Sequence, residues 1–160
     1  MNKAYLLIGG NLGDRKENLK NAREQITLQC GDIAKVSSLY ETAAWGKTDQ
    51  PSFLNQALEI QTTLDAKKLM QKILEIEKKL GRIRNEKYGA RLIDIDILLF
   101  NHETMNDPSL KLPHPEIQNR RFALIPLNEI ASNEIHPVFK KSITELLKEC
   151  PDQLEVKKYS

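Results

Sequence analysis

Two aspartates separated by a single residue are the strongest chemical signal in the sequence. Asp94 and Asp96 lie in an otherwise apolar run, Leu92 to Phe100, that predicts a β-strand. Because side chains alternate along a strand, the two carboxylates share one face, with Cα atoms roughly 6.5–7 Å apart. The opposite face, which we expect to belong to the core, carries Ile93, Ile95, Ile97 and Leu99. Carboxylates this close repel each other unless cations join them, and a pair of Mg²⁺ ions would do so. A solvated sheet face with no chemical role is the alternative.

The segment that precedes this strand is strongly basic. Gly81 to Arg91 contains four basic residues and one acidic residue, with Gly81 and Gly89 towards its two ends. Guanidinium groups clamp phosphates while Mg²⁺ bridges their oxygens, so a cationic loop beside two carboxylates favours a polyphosphate substrate. The alternative is a surface loop whose arginines pair with Asp94 and Asp96. That alternative explains the charges but not the glycines, which are typical of a loop that moves.

Three further segments carry side chains that could contact a ligand. Gly9 to Gly13 matches neither phosphate-binding glycine motif and predicts a tight strand-to-helix turn. His114 stands between two prolines on a rigid extended backbone, either as a structural residue or as a hydrogen-bond donor to an anion. Phe53 and Asn55 point the same way by period two, and beside Thr42 an Asn can bind the edge of a heterocycle. A strand-end cap beside a core aromatic is the alternative.

The predicted elements follow the order β-α-β-β-α-β. Strands are predicted over Ala4–Ile8, Ile33–Thr42, Leu54–Thr63 and Leu92–Phe100. Helices are predicted from Asp14 to about Cys30, with Gly31 as a stop, and from Asp65 to Leu80, with Gly81 as a stop. Short helices are expected near Phe122–Ala131 and Ser142–Glu149. This order is typical of a ferredoxin-like α+β sandwich, a mainly antiparallel sheet with two helices on one face.

Composition indicates an ordinary soluble globular protein. With 160 residues, 40% hydrophobic and 29% charged, we expect a single domain over residues 1–160. The net charge of +2 is too small to indicate a nucleic-acid or membrane-surface protein. Cys30 and Cys150 form no C-x-x-C pair and predict two free thiols in a reducing compartment. No apolar run approaches the roughly 18 residues of a membrane span and no signal peptide is visible, so we expect a cytoplasmic protein.

Together these segments resemble the 6-hydroxymethyl-7,8-dihydropterin pyrophosphokinase family over nearly the whole chain. The matching segments are Ala4–Asp14, Ser37–Thr42, Asp49–Asn55, Gly81–Arg84, Tyr88–Arg91, Asp94–Leu98, Pro113–His114 and Asn119–Phe122. The arginine loop, followed by Asp-Ile-Asp-Ile and then by Pro-His and Asn-Arg-x-Phe, is the specific part. Departures from the family pattern are Ala43-Ala44-Trp45, Lys87, Tyr88 and Pro115.

The resemblance implies an activity and a site. A monomer would transfer pyrophosphate from ATP to 6-hydroxymethyl-7,8-dihydropterin, giving the pterin diphosphate and AMP on the route to folate. Two Mg²⁺ ions would be held by Asp94 and Asp96. The implied catalytic residues are Arg82, Arg91, Asp94 and Asp96. The implied ATP-binding residues are Glu77, Arg84, Lys87, Ile97, His114 and Arg120. The implied pterin-binding residues are Gly9, Thr42, Ala43, Trp45, Phe53, Asn55, Tyr88 and Phe122, with Tyr88 and Phe122 stacking on the two ring faces.

Three other functions use the same fold or the same chemistry. An RNA-binding module would need exposed sheet aromatics and the RNP1 pattern, which these strands lack. A metal-dependent nucleotidyltransferase would release pyrophosphate rather than AMP. A regulatory ligand-binding domain would bind nucleotide without turnover.

Overall fold

The computed structural model describes residues 1–43, 51–81 and 92–159, and this part contains eight strands, four α-helices and one 3-10 helix. The strands are β1 Asn2–Gly10, β2 Asp32–Val36, β3 Tyr40–Thr42, β4 Phe53–Thr62, β5 Asp94–Phe100, β6 Met105–Asp107, β7 Leu110–Leu112 and β8 Val156–Lys158. The helices are α1 Arg15–Gln29, α2 Ala66–Lys79, α3 Arg121–Ala131 and α4 Ile143–Glu149, with the 3-10 helix at Ile117–Asn119.

The main sheet is antiparallel and its strands run in the order β5-β1-β4-β3-β8, with β2 also pairing with β4. The predicted α+β sandwich is therefore confirmed. The prediction of a single strand over Ile33–Thr42 is wrong. This segment forms two strands, β2 and β3, which pair with successive parts of β4. Ser37 lies at the break: its backbone N–H donates to the carbonyl oxygen of Ala57 and its Oγ accepts from the N–H of Ala57, both at 2.9 Å.

The two faces of the sheet are covered by different helices. The helices α1 and α2 pack on one face, where Leu19, Ile26, Leu69, Ile73 and Ile76 are buried against the strands. The helices α3 and α4 pack on the other face, through Leu124, Leu127, Ile143 and Leu146. The prediction of two helices on one face is thus incomplete, since a second pair covers the opposite face.

A β-bulge in β5 moves one predicted core residue to the other face. Tyr5 pairs with Leu99 and Leu6 pairs with Ile97, so Leu98 is an extra residue in the ladder. After this insertion Leu99 points towards α3 and α4 and packs there with Leu98. The prediction that Leu99 shares a face with Ile95 and Ile97 is therefore wrong, whereas Ile95 and Ile97 do lie in the α1/α2 core.

The helix ends follow local sequence signals. Asp14 and Asp65 cap α1 and α2 through side-chain oxygens that accept backbone N–H groups at 3.2 Å and 2.8 Å. Gly81 adopts a φ of 86°, the left-handed conformation expected after α2. Gly31 follows α1 as predicted, but without a positive φ. A Cβ at Gly31 would instead clash with the backbone carbonyl of Gln61 in β4.

Both cysteines are free, as predicted. Burial raises the pKa of the Cys30 thiol to about 11, which keeps it protonated. Among the helices of the described ranges, none is both long and apolar enough to span a membrane.

Candidate active site

A cavity of about 790 Å³ opens on the α3/α4 side of the sheet, where β1 ends and β4 and β5 begin. Its lining combines the ends of the central strands, the N-terminal end of α3 and a segment near the C-terminus. The lining residues are Leu7, Gly9, Thr42, Ala43, Phe53, Asn55, Asp94, Asp96, Glu116, Asn119, Arg120, Phe122, Pro151, Asp152, Gln153 and Leu154.

Three neighbouring positions across the sheet form the floor of this cavity. Gly9 in β1 pairs with Asn55 in β4 on one side and with Asp94 in β5 on the other. Asn55 is buried, and its amide lies over Gly9 so closely that a Cβ at Gly9 would clash with Oδ1. The missing side chain of Gly9 therefore makes room for the Asn55 amide between two strands.

Asp94 and Asp96 lie on the cavity side of β5 and are both half-buried. Asp96 pairs with Leu7, one step along the sheet from the pairing of Asp94 with Gly9. Between the two aspartates, the backbone N–H of Ile95 donates to Oε2 of Glu77 at 2.8 Å. Glu77 is 4% exposed and belongs to α2, so this bond fixes the start of β5 from the opposite side of the sheet.

Four acidic residues line this cavity, Asp94, Asp96, Glu116 and Asp152, and the first two lie together on one side of β5. In the ranges that the structure describes, no group of three or more His, Cys, Asp or Glu side chains is arranged to hold a metal ion. An ion that needs a complete protein cage is therefore a poor match to the described side chains. Mg²⁺ suits the pair better, because it is commonly held by one or two carboxylates and completes its octahedron with water and substrate phosphates.

The other end of the cavity offers a polar edge between apolar walls. Thr42 pairs with Phe53 across β3 and β4, and both side chains line the cavity. Thr42 is 4% exposed, and its Oγ1 has no hydrogen-bond partner among the described residues. Buried hydroxyl groups are normally hydrogen-bonded, so this oxygen is suited to a polar ligand atom.

The start of α3 brings a cation and an aromatic ring into the cavity. Arg120 occupies the N-cap position, and Phe122 is the second residue of the helix. The guanidinium carbon of Arg120 lies 5.7 Å from the centroid of the Phe122 ring, within the range of a cation–π contact. The pair therefore brings both positive charge and a flat apolar surface to this part of the cavity.

His114 lies beside the cavity rather than in its lining. Its Nδ1 accepts the backbone N–H of Glu116 at 3.1 Å, which assigns the proton of the neutral ring to Nε2. Burial lowers the pKa of His114 to about 4, and the positive charge of Arg120 acts in the same direction. Near neutral pH the ring is therefore uncharged and can donate one hydrogen bond through Nε2.

The predicted site residues divide into three groups by location. The cavity brings together Gly9, Thr42, Ala43, Phe53, Asn55, Asp94, Asp96, Arg120 and Phe122. Glu77 and Ile97 are buried on the α1/α2 side, and His114 stands at the periphery. The predicted residues outside the described ranges are Trp45, Arg82, Arg84, Lys87, Tyr88 and Arg91.

The sequence interpretation missed the segment Pro151–Leu154, which lines the cavity. It joins α4 to β8, a three-residue strand that pairs with β3. Such a short strand has no distinctive hydrophobic pattern, and its partner lies more than 100 residues away, so no local signal could have identified it.

The chain is similar to known proteins over most of its length. Residues 5–132 match the family model described as 7,8-dihydro-6-hydroxymethylpterin-pyrophosphokinase (HPPK). The 2-amino-4-hydroxy-6-hydroxymethyldihydropteridine pyrophosphokinase of Aquifex aeolicus is 41% identical over 145 residues, which cover 91% of this chain and 90% of that protein. The Bacillus subtilis protein of the same name is 43% identical over 130 residues, or 81% of this chain and 78% of that protein.

Solved structures show the same fold at low sequence identity. The crystal structure of Plasmodium falciparum HPPK-DHPS superimposes with a TM-score of 0.77 at 18% identity. The match covers 93% of this chain, which spans 43% of the Plasmodium chain. This likeness therefore concerns the fold of one part of a longer protein.

Proposed function

The chain belongs to the 7,8-dihydro-6-hydroxymethylpterin-pyrophosphokinase family, and we propose that the cavity beside Asp94 and Asp96 is its active site. The enzyme is a pyrophosphokinase of folate biosynthesis that uses ATP as co-substrate. The observation that carries the proposal is the floor of the cavity, where a buried amide, a glycine and a half-buried carboxylate are neighbours across three strands.

Two Mg²⁺ ions are the proposed cofactors, with Asp94 and Asp96 as their protein ligands. Support comes from the donor set, because two hard carboxylate oxygen donors without a complete cage leave coordination positions for water and phosphate. When bound, the ions would neutralise charge on the phosphates and lower the pKa of the attacking hydroxyl group. The N–H···O bond from Ile95 to Glu77 holds the backbone between the two ligands, so Glu77 keeps their spacing.

The pterin is proposed to occupy the end of the cavity near Thr42. The Thr42 hydroxyl and the Asn55 amide would hydrogen-bond the polar edge of the ring, and Phe122 would stack on one face. Gly9, Ala43 and Phe53 would form the surrounding wall. Trp45 and Tyr88 stay in the proposal as further pterin contacts outside the described ranges.

ATP is proposed to bind along the β5 side, with Arg120 and His114 contacting its phosphates or nucleoside. Arg120 supplies permanent positive charge, whereas His114 supplies a neutral N–H donor because burial lowers its pKa to about 4. Arg82 and Arg91 are proposed to act on the transferred phosphates, and Arg84 and Lys87 on ATP binding. Ile97 and Glu77 would support this end from the buried side of the strand.

The proposed reaction is an in-line displacement at the β-phosphorus of ATP. The hydroxymethyl oxygen of the pterin forms the new bond to the β-phosphorus. The bond from the β-phosphorus to the oxygen that bridges the α- and β-phosphates breaks, and AMP leaves with that electron pair. The hydroxyl proton passes to one of the two aspartates or to water. Orienting both substrates across one cavity supplies much of the acceleration, because attacker and phosphorus are held together.

We further propose a monomeric cytoplasmic enzyme with one pyrophosphokinase domain over residues 1–160, acting on small molecules and without nucleic-acid or membrane partners. Two free thiols suit a reducing compartment. The formal net charge of +2 supplies little attraction for a polyanion or an anionic bilayer.

The decisive experiment follows product formation in isosteric variants. Protein, Mg²⁺, ATP and 6-hydroxymethyl-7,8-dihydropterin are incubated, and AMP and pyrophosphate are quantified. Asp94→Asn and Asp96→Asn should each lower turnover by about 1000-fold or more, while Asp32→Asn, an exposed control in β2, should leave it unchanged. Most of the activity surviving in either active-site variant would refute the metal assignment. Pyrophosphate as product would identify a nucleotidyltransferase instead.

A further inference from the structure

The C-terminal segment forms one wall of the cavity. Pro151, Asp152, Gln153 and Leu154 all line it. Val156, at the start of β8, pairs with Thr42 at the end of β3, so the residues that precede Val156 lie at the Thr42 end of the sheet. The segment therefore borders the part of the cavity that we assign to the pterin.

Asp152 joins this wall to the helix that carries Phe122. Its Oδ2 accepts the backbone N–H of Arg121, the first residue of α3, at 3.0 Å. Its Oδ1 accepts the N–H of Leu154 at 2.9 Å. One carboxylate thus ties the start of α3 to the C-terminal segment through both of its oxygens.

The hydrogen bond from Arg121 to Asp152 takes the place of the side-chain N-cap that α3 lacks. Arg120, at the N-cap position, makes no side-chain capping hydrogen bond, whereas Asp14, Asp65 and Ser142 cap the other three helices with their own side chains. A carboxylate at a helix N-terminus satisfies an otherwise free N–H and interacts favourably with the helix dipole. In α3 this carboxylate comes from a residue 31 positions further along the chain.

A polar contact between α3 and the sheet lies further along the helix. Glu129 accepts hydrogen bonds from the hydroxyl of Tyr40 and the backbone N–H of Ser38, at 2.5 Å and 2.9 Å. That contact holds the second half of α3 over β3 but lies two turns away from Phe122. Nearer to Phe122, the first turn is held by Ala123 and Leu124, which are buried in the core on this face, and by the bond from Arg121 to Asp152.

Building on the proposed pterin site, we propose that Asp152 is a positioning residue for pterin binding. It contacts no substrate in this assignment. It holds the first turn of α3, and so the Phe122 ring, against the cavity.

A double-mutant cycle tests this assignment in the full-length protein. Affinity for 6-hydroxymethyl-7,8-dihydropterin is measured by calorimetry in the presence of Mg²⁺ and a non-hydrolysable ATP analogue. Asp152→Ala should raise the Kd for the pterin about 10-fold, and Asp152→Asn, which keeps one acceptor oxygen, should raise it less. In a Phe122→Ala background, Asp152→Ala should change the Kd by no more than about 2-fold, because its effect passes through Phe122.

Asp65→Ala is the matched control, since it removes an aspartate cap from α2 at a distance from the cavity. It should lower thermal stability without changing the Kd for the pterin. An unchanged Kd in folded Asp152→Ala, or a further 10-fold loss in the Phe122→Ala background, would overturn the positioning role. If Asp152→Ala does not fold, Asp152→Asn is carried through the same cycle. Failure of the active-site proposal itself would appear separately, as activity retained in Asp94→Asn.

Discussion

The two faces of the sheet differ in how completely they are filled. On the α1/α2 face, apolar side chains cover the sheet from end to end, from Ala4 and Ile60 to Ile93 and Leu54. On the α3/α4 face, a smaller apolar cluster fills only part of the sheet, and the cavity occupies the rest. Packing on one face can therefore hold the strands in register while the other face leaves room for substrates.

Two glycines that lie against opposite ends of β4 show the same division at the level of single residues. A Cβ at Gly31 would clash with a backbone carbonyl of β4, and a Cβ at Gly9 would clash with the side-chain amide of Asn55. Backbone atoms in a paired strand move together, whereas a side chain can rotate away. The first glycine is thus required by the fold, and the second by the arrangement of the site.

The largest expected effect tests whether the α1/α2 face contributes to stability but not to turnover. Ile73 is fully buried between α2 and the sheet, and Ile73→Ala should lower the free energy of unfolding by about 2–5 kcal/mol. Chemical denaturation measures this loss. The turnover number, measured where the variant is still folded, should stay near that of the wild type. A large fall in turnover at full folding would show that the two faces are not independent.

The helices were predictable because their signals are local. Asp14 and Asp65 are N-cap residues that mark the starts of α1 and α2, and the left-handed conformation of Gly81 matches its position after α2. The pairing of Asp94 and Asp96 on one side of β5 also follows from the alternation of a strand. These features need only the residues within a few positions of each other.

The errors and omissions come from long-range pairing. The bulge at Leu98 depends on how β5 pairs with β1, and it sends Leu99 to the opposite face. The break at Ser37 depends on its hydrogen bonds with Ala57 in β4. The cavity wall formed by Pro151–Leu154 depends on the pairing of β8 with β3, which lies more than 100 residues earlier in the chain. None of these partners is near its residue in the chain, so hydrophobic periodicity could not reveal them.

Gly31→Ala should mainly affect stability. Because the added Cβ meets the Gln61 carbonyl, β4 or the end of α1 must shift, at an expected cost of about 1–3 kcal/mol in unfolding free energy. Urea denaturation measures the cost, and calorimetry should find pterin affinity within about 2-fold of wild type. Weakened pterin binding with unchanged stability would reverse the role assigned to this glycine.

Gly9→Ala should show the opposite pattern. The new methyl group should displace the Asn55 amide from its position beside the cavity, with a loss of about 10-fold or more in pterin affinity. Stability should fall by less than in Gly31→Ala, because the nearest backbone atom, the Leu54 carbonyl oxygen, would lie 3.1 Å from the new Cβ, against 2.1 Å for the Gln61 carbonyl oxygen at Gly31. An affinity equal to that of the wild type would show that the Asn55 amide does not contact the pterin.

The smallest expected effect concerns the pH dependence of stability at the edge of the site. Burial lowers the pKa of His114 from its ordinary 6.5 to about 4, so between these values the unfolded chain binds a proton that the folded chain does not. The contribution of His114 to stability is therefore fully present above pH 6.5 and is lost as the pH drops towards 4. The expected contribution of His114 between pH 7 and pH 5 is about 1–2 kcal/mol. Burial also lowers the pKa of His136, which adds to the same trend in all variants.

Comparing His114→Asn with His102→Asn isolates this contribution. The Asn side chain can still accept the Glu116 N–H but cannot be protonated in this range, and His102 is an exposed control in the turn after β5. Urea denaturation at pH 7 and pH 5 should give a smaller loss of stability for His114→Asn than for the wild type or His102→Asn. Equal losses in all three proteins would mean that His114 is protonated equally readily in the folded and unfolded states. The neutral N–H donor proposed for ATP binding would then lose its support, because the folded protein would carry a charged imidazolium at mildly acidic pH.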